Sequence, residues 1–342
     1  MRKRSNHRCA VVAIAFLLSF SVSGASETHR LVPSPRTATW GYFDPRTPPA
    51  LTVRPGDTID VETLAAISSP YWEAAGLPHD QVQPALLEIE RDRKDPWDIA
   101  HILTGPIYVE EAQPGDALQV EILSVDLAFP YAINFFAPGG GVLSDEFTST
   151  RYRLIPLDGA RNVAILSDKV EIPLRPFFGV MGVSPPPEIG QLGSGAPWVH
   201  GGNMDNKELV AGSTVYLPVH VRGALFSIGD GHAGQGDGEV CGTGLETSLR
   251  ATIRLNLRKG AQLRWPRAET PTHYITMGFH EDLEKAAKLA LNEMLDFLDI
   301  EKHLSRADAY VLASDAVDLE ITQLVDGNKG VHAMLPKNIF VK

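Results

Sequence analysis

Apolar and polar positions alternate along this chain in short runs. Residues 58–64, 117–123, 163–166, 214–221 and 248–257 are rich in Val, Ile and Leu at a period near two, which predicts strands. Two of these runs leave the same device: Pro55-Gly56-Asp57 precedes TIDVETL, and Pro114-Gly115-Asp116 precedes ALQVEIL. Pro and Gly suit the central positions of a tight turn, so the repeat is either an internal duplication of a β unit or one favoured turn used twice. A helical period emerges only late in the chain. Leu283, Ala286, Ala287, Ala290, Met294, Leu295 and Leu298 share one face of a helix over 281–298, and acidic residues open it at the positive end of the helix dipole. Ser305 is placed to cap a second, shorter helix with Asp308 in its first turn; 317–324 then reads as a strand and Asp326-Gly327 as a turn. The pattern predicts a mainly β (α+β) fold with a few helices near the carboxyl end, and not the strand–helix alternation of a doubly wound sheet. Two β-rich lobes are expected, 26–175 and 176–342, packed as one catalytic unit. The Gly/Pro-rich stretch 182–197 is either their boundary or a site loop.

The first 25 residues stand apart from this pattern. Arg2, Lys3, Arg4 and Arg8 precede an apolar run over 9–20, and Ser23-Gly24-Ala25 offers a small-x-small cleavage site. That order is the order of a secretory signal peptide, and the run is short for a membrane span. Residues 1–25 are therefore expected to be removed, placing the protein in a periplasm or outside the cell; an uncut anchor is the alternative. Removal takes away Cys9 and leaves Cys241 alone, so no intramolecular disulfide is expected. The net charge of -11, with no basic patch, argues against nucleic acid as a partner. No later apolar stretch suggests a membrane partner for the mature form.

Candidate chemistry concentrates in two glycine-rich segments, 201–207 and 229–239. The second reads GDGHAGQGDGE, more glycine than an ordinary surface loop requires, and glycine lets backbone approach a bound group closely. Asp230 and His232 are two apart, so in an extended segment both side chains face one way. A carboxylate and an imidazole on one face suit a borderline divalent ion, zinc first and calcium second. Asp205, His200 and His101 are further candidate ligands. Glu239 is the candidate general base, because a carboxylate near a metal-bound water can take its proton. The alternatives are a structural metal loop or a metal-free set of tight turns. A second polar cluster, Arg267, Glu269 and His273, together with Glu246, is read either as support for the same cleft or as structural ion pairing. Residues 176–183, including Phe178, form either an apolar wall for substrate or core. Cys241 reads as a bland, buried thiol.

Several stretches carry a resemblance: Thr39-Trp40-Gly41-Tyr42-Phe43-Asp44, His101 to Pro106, Arg175 to Pro185, Gly202 to Leu209, Leu217-Pro218-Val219, Gly223 to Val240, Glu269 to Gly278 and Gly330 to Lys337. By these the chain resembles the acetamidase/formamidase family. The resemblance implies a mainly β fold and hydrolysis of the C–N bond of short linear amides such as formamide and acetamide, releasing ammonia and a carboxylate. It also implies a divalent metal and a homo-oligomer. Carried over by position, the site comprises Asp205, Asp230, His232 and Glu239, with His200 and His101. Resemblance and chemical argument together give the expectation of catalysis by Glu239, His232 and His273 (the last, or a backbone N–H of the glycine loop, steadying an oxyanion), substrate contact by Asn203, Phe178 and Gly236, and metal ligation by Asp230, His232, Asp205, His200 and His101. Two departures stand out: family members are commonly cytoplasmic whereas this chain carries an export-like leader, and position 234 is Gly where alanine is usual. The competing readings are a hydrolase of a larger amide or ester, and an exported solute- or carbohydrate-binding β protein with structural calcium.

Overall fold

The computed structural model describes residues 26–92 and 101–341; the leader-like segment lies outside them. Two large sheets dominate. One has nine strands in the order Thr28–Leu31, Thr58–Glu62, Leu249–Arg258, Ala117–Leu127, Thr214–Pro218, Arg267–Glu269, His273–His280, Lys329–Pro336 and Asp318–Gln323. Every one of the five strand runs read from the alternation is a strand, with ends shifted by a few residues. The alternation survives in the burial: along Leu249–Arg258, Leu249, Ala251, Ile253 and Leu255 point inward while the residues between them are partly or fully exposed. The two Pro-Gly-Asp turns are equivalent in space as well as in sequence. Asp57 N–H donates to Arg54 O (3.0 Å) and Asp116 N–H to Gln113 O (3.0 Å). Each Asp then accepts a second bond, from Arg54 N–H and Gln113 N–H respectively, at 2.9 Å in both cases. The strands that leave them lie on either side of Leu249–Arg258.

The second sheet has eleven strands and carries the site. Near its centre runs Phe226–His232, bordered on one side by Phe177–Gly182 and on the other by Ile102–Val109 and then Glu246–Thr247. Both Phe226–His232 and Phe177–Gly182 are buried along their whole length, so neither face is free for solvent. Ile59, Val61, Leu118, Val120 and Ile253 of the first sheet meet Ile107, Phe178, Met181, Phe226 and Ile228 of the second in one apolar cluster. Burial of such side chains contributes roughly 1.5–3 kcal/mol each and is what clamps the sheets together. Both sheets take strands from either side of residue 175, and the 175/176 boundary marks no break in either.

Helix Leu283–Lys302 packs on His273–His280 and Lys329–Pro336, burying Ala286, Ala290, Met294 and Leu298. Asp282 caps it by accepting from Lys285 N–H (3.0 Å), and Gly278 lies so close beneath Ala286 and Ala290 that a side chain there has no room. Arg306–Ala316 is the second helix, capped by Ser305. Two short helices, Ser69–Ala74 and Pro84–Asp92, also lie in the first third of the chain. They are too short to show several turns of period, and their stability comes from Trp72, Leu86 and Ile89 packing in a separate apolar cluster.

Candidate active site

The register of the second sheet assembles an acidic cavity of about 380 Å³. His232 stands directly opposite Glu246 on one neighbouring strand and Phe177 on the other. Its Nε2 lies 3.2 Å from Glu246 Oε2, 3.3 Å from Asp230 Oδ2 and 3.9 Å from Asp205 Oδ1. Asp205, His232 and Glu239 bring ligand-type atoms within 4.8 Å of one another, as do Asp230, His232 and Glu246. All five side chains are buried. His101 reaches the same group, with Nε2 3.8 Å from Asp230 Oδ2 and Nδ1 2.9 Å from Ser194 Oγ. Asp326 also lines the cavity.

The backbone at these acids is unusual. Asp205, Asp230 and Glu239 all have left-handed φ angles, 47°, 55° and 44°. Non-glycine residues held there cost of order 1–3 kcal/mol each and persist only where surroundings enforce them, a pattern concentrated at functional sites. The expectation that Asp230 and His232 share a face holds, but through this kinked backbone and not through plain extension. Gly179 completes the arrangement. A Cβ there would collide with Asp205 Oδ1 and Asp230 Oδ2 together, so the two carboxylates converge in the space that glycine leaves.

The charge balance calls for a cation. Gln235 Nε2 donates to Asp205 O (3.0 Å), which turns Gln235 Oε1 toward His232 Nδ1 (2.8 Å) as an acceptor. This network assigns the proton of a neutral His232 to Nδ1 and aims the Nε2 lone pair at three carboxylates. Both Asp205 oxygens and Glu246 Oε2 are buried without a hydrogen-bond partner. Burial pushes the carboxyls of Glu239 and Asp205 well above the usual range, with Asp205 adding to the effect at Glu239 and Asp326 at Asp205. Burial also raises Glu246, to about 7. Burial pushes Asp230 up as well, but His232 and His101 more than offset it and hold that carboxyl low. Burial pushes His232 down, yet Glu246 and Asp230 together hold it well above its ordinary value. A proton or a divalent ion among these oxygens removes the conflict. The donor set, several carboxylate oxygens with one imidazole nitrogen, fits such an ion.

The family model described as Acetamidase/Formamidase matches residues 34–192 and 194–342. The chain belongs to the acetamidase/formamidase family. Its fold is therefore that family's β-rich fold, and it is an amidohydrolase. A crystal structure of an acetamidase from Bacillus halodurans is 33% identical, with 91% of this chain and 98% of that one covered and a TM-score of 0.78. An acetamidase from Yersinia enterocolitica is 31% identical, covering 94% and 95%, with a TM-score of 0.80. A formamidase from Methylophilus methylotrophus is 25% identical over 87% of this chain and 88% of its own length.

Several residues expected at the site stand elsewhere. His200 is buried edge-on against Phe43, ring centroids 4.9 Å apart, and lies in none of the ligand clusters among the described residues. Its burial lowers its pKa to about 3, so it is a neutral core imidazole. His273 sits in the nine-stranded sheet, its Nδ1 2.9 Å from Thr272 Oγ1, and does not line the cavity. Phe178 belongs to the inter-sheet core; the neighbouring Phe177 is the ring that touches His232, at 5.1 Å between centroids. Gly236 is exposed in a turn, accepting from Glu239 N–H (3.2 Å), and does not line the cavity. Asn203 does line it, with Oδ1 buried and unpaired. Glu269 pairs with Tyr216 Oη (2.6 Å) and Lys337 Nζ (2.5 Å), away from this site. Glu246 moves from a supporting role into the cluster itself. Asp326, read only as part of a turn, lines the cavity because buried Gln323 accepts from Val325 and Asp326 N–H and shapes that turn. Nothing in the sequence near 326 signals this.

Proposed function

We propose that this cavity hydrolyses the C–N bond of small linear amides with the help of a divalent metal, giving a carboxylate and ammonia. The convergence of Asp205, Asp230, His232, Glu239 and Glu246 on unpaired, buried oxygens beside Gly179 carries this reading. Asp230, His232 through Nε2, Asp205 and Glu246 are the residues to hold the metal, zinc being the ion that suits the imidazole. A divalent ion supplies a Lewis acid that polarises a carbonyl and makes water more acidic. Gln235 keeps His232 in the tautomer that offers Nε2. Asn203 Oδ1 is free to accept from the amide N–H and so to orient the substrate. Glu239, whose carboxyl is held by burial well above the usual carboxylate range, takes the proton of the attacking water and delivers it to the departing nitrogen. The leaving group needs that proton because ammonia, not amide anion, must depart. His101, held by Ser194, lies at the edge of the cluster and is available to steady charge on the substrate oxygen.

The experiment is ammonia release from formamide, acetamide and longer amides, before and after chelation, with elemental analysis of the same preparation. Activity that survives complete metal removal refutes the metal-assisted mechanism; no ammonia from any amide refutes the substrate class. We also infer that the protein is exported and assembles as a homo-oligomer. The leader-like pattern of residues 1–25 supports export, and a purified protein whose mass begins at Met1 would refute it. Family resemblance alone supports assembly, and sedimentation as a monomer would refute it. Among the described residues no helix is long and apolar enough to cross a membrane.

A further inference from the structure

A second cavity, about 250 Å³, opens where Thr214–Pro218, Arg267–Glu269 and His273–His280 meet the last turn of helix Leu283–Lys302. It shares no lining residue with the acidic cavity, and on its lining cations outnumber carboxylates by three to two. Arg258, Arg267 and Lys302 line it, in a chain whose net charge is -11. Arg267 is held by Glu293 through Nη2 (3.1 Å), yet its Nε is buried without a hydrogen-bond partner. Arg258 donates through Nε to Gln119 Oε1 (2.8 Å) and lies over the Tyr216 ring, 5.7 Å from its centroid. Lys302 Nζ donates to Tyr274 Oη (3.0 Å) and sits 4.4 Å from that ring and 4.9 Å from Phe340. Among the described residues neither Arg258 nor Lys302 forms a close ion pair, although Arg258 is near enough to Glu269 to help hold that carboxyl low.

Glu269 on the same lining feels the charge of Arg258, but its oxygens are taken by other donors. Lys337 shares the Tyr274 ring at 4.8 Å, but Glu269 neutralises Lys337, not Lys302. Glu269 is further occupied by the Tyr216 hydroxyl, a phenol that burial pushes up to about 12 and so keeps a donor. Glu301, the other carboxylate on the lining, is exposed. The negative end of its own helix offsets only about half a charge at Lys302. Leu263, Ile275 and Phe297 form the apolar part of the lining. Cationic groups beside an apolar, aromatic wall recognise an anion with a hydrophobic body, and a guanidinium matches the two oxygens of a carboxylate.

We propose that this second cavity binds a small organic monocarboxylate with an aromatic or branched aliphatic body. The carboxylate lies against Arg258, Lys302 and Arg267 Nε, and the body against Leu263, Ile275 and Phe297. This site stands independently of the hydrolytic reading. Calorimetric titration of the full chain with benzoate, benzamide and inorganic phosphate tests it. Benzoate binds saturably at one site per chain. Lys302→Met and Arg258→Met each weaken it by about tenfold or more, the loss expected when a charge-assisted hydrogen bond goes. Lys302→Arg retains binding, and Glu239→Gln in the other cavity leaves it unchanged. Thermal melts of both methionine variants are read first, and Arg258→Met alone decides if Lys302→Met does not fold. No saturable benzoate binding, equal affinity for benzamide, or equal competition by phosphate overturns the proposal. So does binding lost in Glu239→Gln but kept in Lys302→Met.

Discussion

Replacing Gly179 by alanine tests the site with a single methyl group. The added Cβ falls well under 3.0 Å from both Asp205 Oδ1 and Asp230 Oδ2, closer than real Cβ atoms are found to any heavy atom. Neither carboxylate has an easy retreat. Asp205 and Asp230 are buried, both already hold left-handed φ angles, and Asp230 is hemmed in by His232 and His101. Relief of the overlap requires a carboxylate movement of the order of 1 Å, and a misplacement of that size costs about 10²-fold in rate. At 1.36 kcal/mol per decade this is about 2.7 kcal/mol of transition-state stabilisation. Overpacking of the buried strand adds a stability cost of about 1–3 kcal/mol. The assay is kcat/KM for ammonia release, read beside bound metal per chain and the melting temperature. Activity and metal content are expected to fall together. The control is Gly236→Ala, where nothing lies within 4 Å of the new Cβ; it should stay within about 0.5 kcal/mol of wild type, as surface changes usually do. A folded Gly179→Ala protein with wild-type turnover and full metal content would refute the placement of Asp205 and Asp230 as partners at one ion.

Three further outcomes follow from the same geometry. Glu239→Gln keeps the fold and the metal but loses about 10²–10⁴-fold in turnover, as loss of a general acid–base group does; turnover near wild type removes Glu239 from the mechanism. Gln235→Ala frees the His232 ring and lowers metal affinity about 10–100-fold in a competition titration with a chelator, whereas unchanged affinity shows that the tautomer is set elsewhere. His200 gives a pH signature. Its folded pKa, about 3, lies below its ordinary 6.5, so the unfolded chain binds the proton more readily. The stability from keeping it neutral is therefore fully present above pH 6.5 and is lost progressively down to about pH 3, amounting to a few kcal/mol. Denaturant titrations should show His200→Phe losing less stability than wild type across that window, and parallel curves contradict the assignment.

Much of the framework is legible in the chain itself. Period-two runs mark strands because successive side chains point to opposite faces, and the apolar stripe over 281–298 marks the helix because its positions recur once per turn. The Pro-Gly-Asp turns and the Ser305 cap are local hydrogen-bonded devices that their own residues complete. The glycine-rich segment 229–239 is likewise visible, and with it Asp230, His232 and Glu239. Its backbone is not: Asp230 and Glu239, like Asp205, hold left-handed φ angles, which Asp tolerates better than most residues but which the alternation of an extended strand does not announce.

Interactions that close within a few residues are set locally: strand alternation, tight turns, helix caps, and a carboxylate and an imidazole two positions apart. The tertiary structure alone decided which distant groups meet them. Strand register sets Glu246 opposite His232, and the turn shaped by Gln323 brings Asp326 to the same cavity, while His200, His273 and Phe178 are drawn into other surroundings. The physical reason is that a side chain's chemistry is written in its own residue, but its burial and its charged neighbours come from contacts between segments far apart in the chain.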